Sequence, residues 1–270
     1  SCGSRRQDHR RHNPHSTTEI TAAVPSGGPL PLLNQLNRMS IKSLIPNAVT
    51  SLNLMSGCVA IIFAWHAGEQ YCGLSGQVWA YIMIGAAALF DFCDGATARL
   101  LHAYSEIGKQ LDSLSDLVSF GVAPAMLMIN VMQLYSDSPL AYGALIVPLC
   151  GALRLAKFNI DESQTTEFRG LPIPANALFL IGFCGWISRY GYPGTIPSLI
   201  IIVLISLSMV CNLRMFSLKF QSFSFTDNFR RYVIILAAIA FIIGFGLAGL
   251  AWAVVLYLML SAADSLRSKR

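Results

Sequence analysis

Charged residues are scarce in this sequence. Asp, Glu, Lys and Arg make up 12% of the 270 residues, whereas apolar residues make up 54%. Soluble globular domains carry about twice that share of charge. Together with a mean hydropathy of +0.55, this composition indicates an all-α polytopic membrane protein.

Two other features are absent. The sequence has no basic patch interleaved with stacking aromatic residues, so we expect no nucleic-acid partner. It also has no C-x2-C pair, and its seven cysteines are scattered. Single cysteines within apolar segments are typical of packing rather than of a metal or redox site.

Residues 1–38 differ from the rest of the chain. They combine arginines and histidines with a Pro/Gly/Ser stretch and lack apolar periodicity, which predicts a disordered tail. An artificial extension or an over-extended reading frame is a second interpretation, because Met39 directly precedes the organised region. A metal site formed by the tail's histidines is a third. No apolar core of a cleavable secretory signal is present.

Apolar segments then follow one another. The first six are residues 48–66, 78 to about 98, 110–134 with a kink expected at Pro124, 139–159, 173–190 and 195–212. The last apolar region, residues 232–263, is too long for one span of about 20 residues. Gly244, Gly246 and Gly249 near its middle predict two helices joined by a tight turn, with one long tilted helix as the alternative.

The basic residues favour eight spans over seven. With eight spans and the N-terminus inside, Arg189 is left outside and the inner segments hold Arg38, Lys42, Arg99, Lys109, Arg154, Lys157, Arg169, Arg214, Lys219, Arg230, Arg231, Arg267, Lys269 and Arg270. Seven spans would move the last three of these to the outer face, against the positive-inside rule.

Four carboxylates stand out among the apolar segments. Asp91 and Asp94 are three residues apart, and Asp112 and Asp116 are four apart, so each pair shares one face of a helix. An uncompensated cluster within a membrane protein is very costly, but two divalent cations would neutralise it. Oxygen ligands favour Mg²⁺ or Mn²⁺, and paired ions of this kind serve displacement at phosphorus. The alternative is a solvated loop between two spans.

Residues beside these carboxylates fit a phosphate ligand. Gly95 leaves room for a substrate to approach the backbone, and Arg99 lies one turn further on the same face, where it can hold a phosphate in bidentate fashion. The fixed positions read D-x2-D-G-x2-A-R-x8-G-x3-D-x3-D over residues 91–116. This pattern resembles the signature of the CDP-alcohol phosphotransferase family.

The resemblance implies a fold and a set of roles. We expect a six-helix catalytic core within residues 39–220 and a C-terminal transmembrane hairpin with a basic tail in residues 221–270. The first three aspartates of the motif would bind metal, and Asp116 would be a ligand or neighbour that acts as general base. The expected nucleotide and phosphate contacts are Gly95, Ala98, Arg99, Gly108 and Thr50.

Further segments resemble the bacterial and archaeal members that use serine as acceptor. They are residues 45–57, residues 153–159, which read LRLAKFN, and residues 168–175, which read FRGLPIPA. The implied substrates are CDP-diacylglycerol and L-serine, with a homodimer in the cell membrane and an active site facing the cytoplasm. Arg154, Lys157 and Arg169 would contact the acceptor, or would serve only as topology signals.

Three departures and two alternatives remain at this stage. Leu153, Lys157 and Asn176 replace the residues more common in the related sequences, and Lys157 loses the bidentate geometry of an arginine. Another acceptor, such as glycerol 3-phosphate or inositol phosphate, is one alternative function. A divalent-cation transporter is the other, although it would leave Gly95 and Arg99 without a role.

Overall fold

The computed structural model describes residues 41–160, 168–211, 213–215 and 225–267. The predicted tail and the predicted boundary near residue 220 lie outside these ranges. Within them the chain is helical apart from short loops and two pairs of two-residue strands. The helices are α1 (Ile41–Trp65), α2 (Gly76–Leu100), α3 (Glu106–Asp116), α4 (Ala123–Gln133), α5 (Ile146–Ile160), α6 (Ile173–Tyr190), α7 (Thr195–Val210), α8 (Phe225–Phe245) and α9 (Ala248–Arg267).

These elements confirm a multi-pass membrane protein. Five stretches of the described chain are long and apolar enough to cross a membrane: Leu44–Trp65, Gly76–Leu100, Glu106–Gln133, Pro139–Ile160 and Ala248–Ser265. Two shorter apolar helices, Thr195–Val210 and Tyr232–Phe245, accompany them. Helix α6 is largely buried among its neighbours, with Leu180 and Cys184 fully inaccessible.

The last apolar region forms two helices, as predicted. Gly246 adopts a φ of +62°, which favours glycine, and its N–H donates to the Ile242 carbonyl at 2.8 Å. Gly249 then lies directly against the backbone of Phe241, so no side chain would fit there. The alternative of one long tilted helix is wrong.

The first helix begins earlier than its apolar segment. Helix α1 starts at Ile41 and contains Pro46, so the expected start at residue 48 is wrong. Pro46 is the sixth residue of this helix, so the helix continues through a position that has no N–H to donate. Helix α3 similarly begins at Glu106, where Ser105 caps it by accepting a hydrogen bond from the Gly108 N–H at 3.0 Å.

A π-helical turn, Leu117–Val122, joins α3 to α4. The Ala123 N–H donates to the Val118 carbonyl, five residues back. Pro124 follows immediately and has no N–H to continue the regular helical pattern, so the irregularity lies where the sequence predicts it. The turn packs tightly against α1, because a Cβ on Gly57 would lie 2.8 Å from the Ser119 Cα.

Two loops meet at one end of the bundle. Strand β3 (Phe168–Arg169) precedes α6 and pairs antiparallel with β4 (Arg214–Met215), which follows α7. Gly170 has a φ of +78°, and its N–H donates to the Leu213 carbonyl at 2.9 Å. The Leu171 N–H donates to the Ser208 carbonyl at 3.0 Å, so this segment is bonded to the end of α7 and the residues that follow it. The other pair, β1 (Gln70–Tyr71) and β2 (Leu74–Ser75), lies between α1 and α2.

The C-terminal hairpin is attached to the core by close backbone contact. Helices α6 and α9 pack together, and a Cβ on Gly182 would fall 3.0 Å from the Ala251 Cα and closer still to its backbone nitrogen. The Gly182→Ala substitution should therefore separate the helices and cost about 1–3 kcal/mol. We expect the unfolding temperature in detergent to fall by roughly 5 °C.

Gly85→Ala is the matched control for this prediction. Gly85 lies in α2, and a Cβ there would meet no atom within 4 Å. Since alanine favours the helix over glycine, that variant should unfold at the wild-type temperature or slightly above it. An unchanged unfolding temperature for Gly182→Ala would show that α9 does not depend on this contact.

Candidate active site

Two helices bring the carboxylates of the motif together. Asp91 and Asp94 lie on α2, and Asp112 and Asp116 lie on α3 after a loop of residues 101–105 that reverses the chain. Helix α1 packs against both α2 and α3 and so fixes their relative positions. In the part of the chain that the structure describes, carboxylate oxygens of Asp91, Asp112 and Asp116 lie within 4.8 Å of one another.

Asp94 lies beside this group in a more enclosed position. Its side chain is 5% exposed, and its carboxylate contacts the Thr50 hydroxyl on α1. It interacts electrostatically with Asp91, Asp112 and Asp116. The four predicted side chains therefore form one negative cluster, in which three meet closely and the fourth supports them from the α1 side.

The donor set of this cluster fits a divalent cation. Asp94 Oδ2 and Asp116 Oδ1 are buried and have no hydrogen-bond partner in the described structure. Leaving buried carboxylate oxygens unpaired and close to one another is unfavourable unless a positive charge joins them. The atoms of this cluster that could bind a metal are all carboxylate oxygens, which hard divalent ions prefer. Cys93 is half-buried in the same turn of α2 and is a poor ligand for such ions.

The backbone next to Asp94 is open to a ligand. A Cβ on Gly95 would meet no atom within 4 Å, which agrees with the predicted room for substrate. The exposed Arg99 donates from Nε to the Gly95 carbonyl at 3.0 Å, so its guanidinium lies over this open backbone. Ala98 is half-buried on the same helix.

Thr50 and Gly108 lie where α1 and α3 approach the cluster, and their predicted phosphate contacts stay predictions. Thr50 is buried, and its Oγ1 donates to the Pro46 carbonyl at 3.0 Å, behind Asp94. A Cβ on Gly108 would lie 2.8 Å from Asn47 Oδ1, so α3 approaches the Asn47 side chain of α1 closely at this position. Both residues shape the helix packing under the cluster.

The three residues predicted to contact the acceptor differ from one another in burial and position. Arg154 on α5 is half-buried, and its Nε is inaccessible without a hydrogen-bond partner in the described structure. It lies within electrostatic reach of Asp116. Lys157 is exposed one turn further along α5, and the Arg169 side chain lies outside the described residues, although its backbone forms β3.

Two supporting contacts were not predicted from the sequence. Tyr257 on α9 is 8% exposed and interacts electrostatically with Arg154, so the C-terminal hairpin reaches the site. Ser119 in the π-helical turn donates to Asn53 Oδ1 on α1 at 2.7 Å. Nothing in the sequence pairs these positions, because each contact joins residues far apart along the chain.

Comparison with known proteins agrees with this geometry. The profile of the CDP-alcohol phosphatidyltransferase family matches residues 43–213, which include all four aspartates. The chain belongs to this family. The family match ends before α8 and α9, so Tyr257 lies outside it.

Several proteins named as serine phosphatidyltransferases or as a related synthase are similar to this chain. The CDP-diacylglycerol–serine O-phosphatidyltransferase of Methanocaldococcus jannaschii is 39% identical over 171 residues, which cover 63% of this chain and 72% of that protein. The enzyme of the same name from Bacillus subtilis is 42% identical over 122 residues, or 42% of this chain and 69% of that one. Archaetidylserine synthase of Methanothermobacter thermautotrophicus is 33% identical over 185 residues, or 66% of this chain and 72% of that one.

Proposed function

We propose that this enzyme transfers the phosphatidyl group of CDP-diacylglycerol to the hydroxyl of L-serine, giving phosphatidylserine and CMP. The observation that carries the proposal is the convergence of the Asp91, Asp112 and Asp116 oxygens within 4.8 Å, with the Arg154 guanidinium in electrostatic reach of Asp116. The relatives' names support serine as the acceptor, since all three refer to a serine product or substrate.

The reaction is a single in-line displacement. The serine hydroxyl oxygen forms a bond to the lipid-side phosphorus, and the bond from that phosphorus to the CMP oxygen breaks with its electron pair. The hydroxyl proton passes to the Asp116 carboxylate, which is the proposed general base. Two Mg²⁺ or Mn²⁺ ions held by Asp91, Asp94, Asp112 and Asp116 would neutralise the pyrophosphate and the departing CMP.

The cationic side chains orient the two substrates. Arg99 lies over the open backbone at Gly95 and would hold a phosphate of the nucleotide. Arg154, whose Nε lacks a protein partner in the described structure, would bind the serine carboxylate. A carboxylate at Arg154 puts the acceptor hydroxyl on the side of the site that holds Asp116.

This function also implies a location and an assembly. We propose that the cluster faces the cytoplasm from the cell membrane, because serine and CMP are soluble there. The loops that form β3 and β4 contain Arg169 and Arg214, as expected for inner loops. A homodimer is the assembly that the family resemblance suggests.

The purified protein provides a direct test. It is incubated in detergent with CDP-diacylglycerol, labelled serine and Mn²⁺ or Mg²⁺, and CMP and labelled aminophospholipid are measured. Appearance of both in equal amounts supports the proposal. Turnover with glycerol 3-phosphate or inositol phosphate but not with serine would show that the acceptor is that phosphorylated alcohol and not serine. Cation flux into liposomes without CMP release would support a transporter.

Arg154 should matter mainly for serine. Loss of one charge-assisted contact corresponds to about a 10–100-fold increase in KM for serine in Arg154→Ala. The KM for CDP-diacylglycerol should stay within about twofold, and Arg154→Lys should recover part of the affinity because the charge remains. Arg189→Ala on α6 is the control, since Arg189 contacts the Gly244 carbonyl far from the cluster. An unchanged KM for serine in Arg154→Ala would contradict the assignment.

A further inference from the structure

The distance between Arg154 and Asp116 depends on how α5 and α3 are held together. Helix α5 packs directly against the π-helical turn that follows α3. There a Cβ on Gly121 would lie 3.4 Å from the Pro148 Cα, and a Cβ on Gly151 would lie 3.6 Å from the Leu117 side chain. This apolar packing holds α5 and α3 together on the side of Arg154 and Asp116 that faces Gly121.

A polar connection joins α5 to α3 on the other side of Arg154 and Asp116. Asn159 Nδ2 donates to Ser113 Oγ at 3.0 Å, and Ser113 Oγ donates to the Lys109 carbonyl at 3.2 Å. Lys109 Nζ approaches the Asn159 carbonyl at 3.5 Å. We call Lys109, Ser113 and Asn159 the α3–α5 bridge.

Arg154 and Asp116 lie between the two connections. Along α5, Arg154 is about 4.5 Å from the level of Gly151 and about 7.5 Å from the level of Asn159. Along the other helix, Asp116 follows Ser113 by about 4.5 Å and precedes the turn residue Gly121. The bridge therefore lies on the opposite side of Arg154 and Asp116 from the contact between Gly121 and Pro148.

We propose that the hydrogen bond between Asn159 and Ser113 positions Arg154 relative to Asp116, and thereby sets the affinity for serine. This inference rests on the proposed function. Serine is short, so its carboxylate can meet Arg154 while its hydroxyl meets Asp116 only if their separation is set to within about 0.5 Å. Asn159 and Ser113 are positioning residues, since they act through the two helices and not on the substrate.

The test compares variants that remove the bond from either side. Ser113→Ala and Asn159→Leu should each raise KM for serine by about fivefold, the effect of one hydrogen bond. The KM for CDP-diacylglycerol and the Mn²⁺ requirement should not change. The double variant should be no worse than either single one, because both remove the same bond. Ser113→Thr keeps the hydroxyl and should retain the wild-type KM for serine.

Ser188→Ala is the matched control. Ser188 on α6 donates to the carbonyl four residues back, Cys184, at 3.0 Å, as Ser113 does to Lys109. The control therefore removes the same intrahelical bond without a connection between α3 and α5, and its kinetics should equal those of the wild type.

Three results would overturn the positioning role. They are an unchanged KM for serine in both single variants, a parallel rise in KM for both substrates, and fully additive effects in the double variant. Failure of the proposed function is recognised separately, because the wild-type enzyme would then form no product from serine. The Ser113→Ala change removes only one oxygen, so it tests the bond even if Asn159→Leu does not fold.

Discussion

Asp116→Asn is expected to reduce the rate of transfer by about 10³-fold or more, because the serine hydroxyl loses the group that takes its proton. Asparagine has nearly the same shape and can still offer an oxygen to the cluster, but it is not basic. Asp116 is well placed for this role, since its Oδ1 is buried without a partner in the described structure and Arg154 is nearby. Binding of CDP-diacylglycerol should persist.

The measurement separates binding from chemistry. Transfer is followed as CMP release at saturating Mn²⁺, and CDP-diacylglycerol binding is measured by calorimetry. Asp137→Asn is the control, because Asp137 is exposed in the loop between α4 and the short 3₁₀-helix Pro139–Leu145 and lies outside the carboxylate cluster. Near-normal rates in Asp116→Asn would refute the base assignment, whereas loss of CDP-diacylglycerol binding would assign Asp116 to substrate binding.

Chelation of divalent cations is expected to abolish transfer, and addition of Mg²⁺ or Mn²⁺ should restore it. The physical reason is the cluster itself, in which oxygens of Asp91, Asp112 and Asp116 lie within 4.8 Å without a basic partner among the described ion pairs. Asp91→Asn removes one negative charge from the cluster. We expect that variant to need about 10–100-fold more metal for half-maximal activity.

This experiment uses a metal titration of the chelated enzyme with CMP release as the readout. Glu69→Gln is the control: Glu69 lies in the loop before β1, where bonds from His66 and Tyr71 keep the pKa of its carboxyl below the usual range. Its metal requirement should equal that of the wild type. Full activity in excess chelator would refute the metal-assisted mechanism. An unchanged metal requirement in Asp91→Asn would show that Asp91 is not a metal ligand.

The motif was predictable because it depends on helical periodicity. Spacings of three and four residues place Asp91 with Asp94, and Asp112 with Asp116, on shared helix faces whatever the rest of the fold does. The alternative of a solvated loop is wrong, since both pairs lie in helices that pack against α1. The split of the last apolar region was predictable from length and glycine content for the same kind of local reason.

Other features could not be read from the chain because they depend on contacts between distant residues. Gly108 belongs to the motif, but only the tertiary structure shows that it lies against Asn47 on α1. Likewise, only the tertiary structure places the Thr50 hydroxyl beside the Asp94 carboxylate. The start of α1 was misplaced because the prediction followed the apolar segment from residue 48, whereas the helix extends back through Pro46 to Ile41.

The sequence by itself determined the membrane class, the apolar segments and the four acidic residues of the motif, because hydropathy and helical spacing act over one or two turns. The tertiary structure decided which carboxylates meet, that the Arg154 guanidinium lies within electrostatic reach of Asp116, and how Ser113 and Asn159 connect α3 to α5. These depend on the packing of helices at glycines such as Gly57, where an added methyl group would collide with the backbone of Ser119.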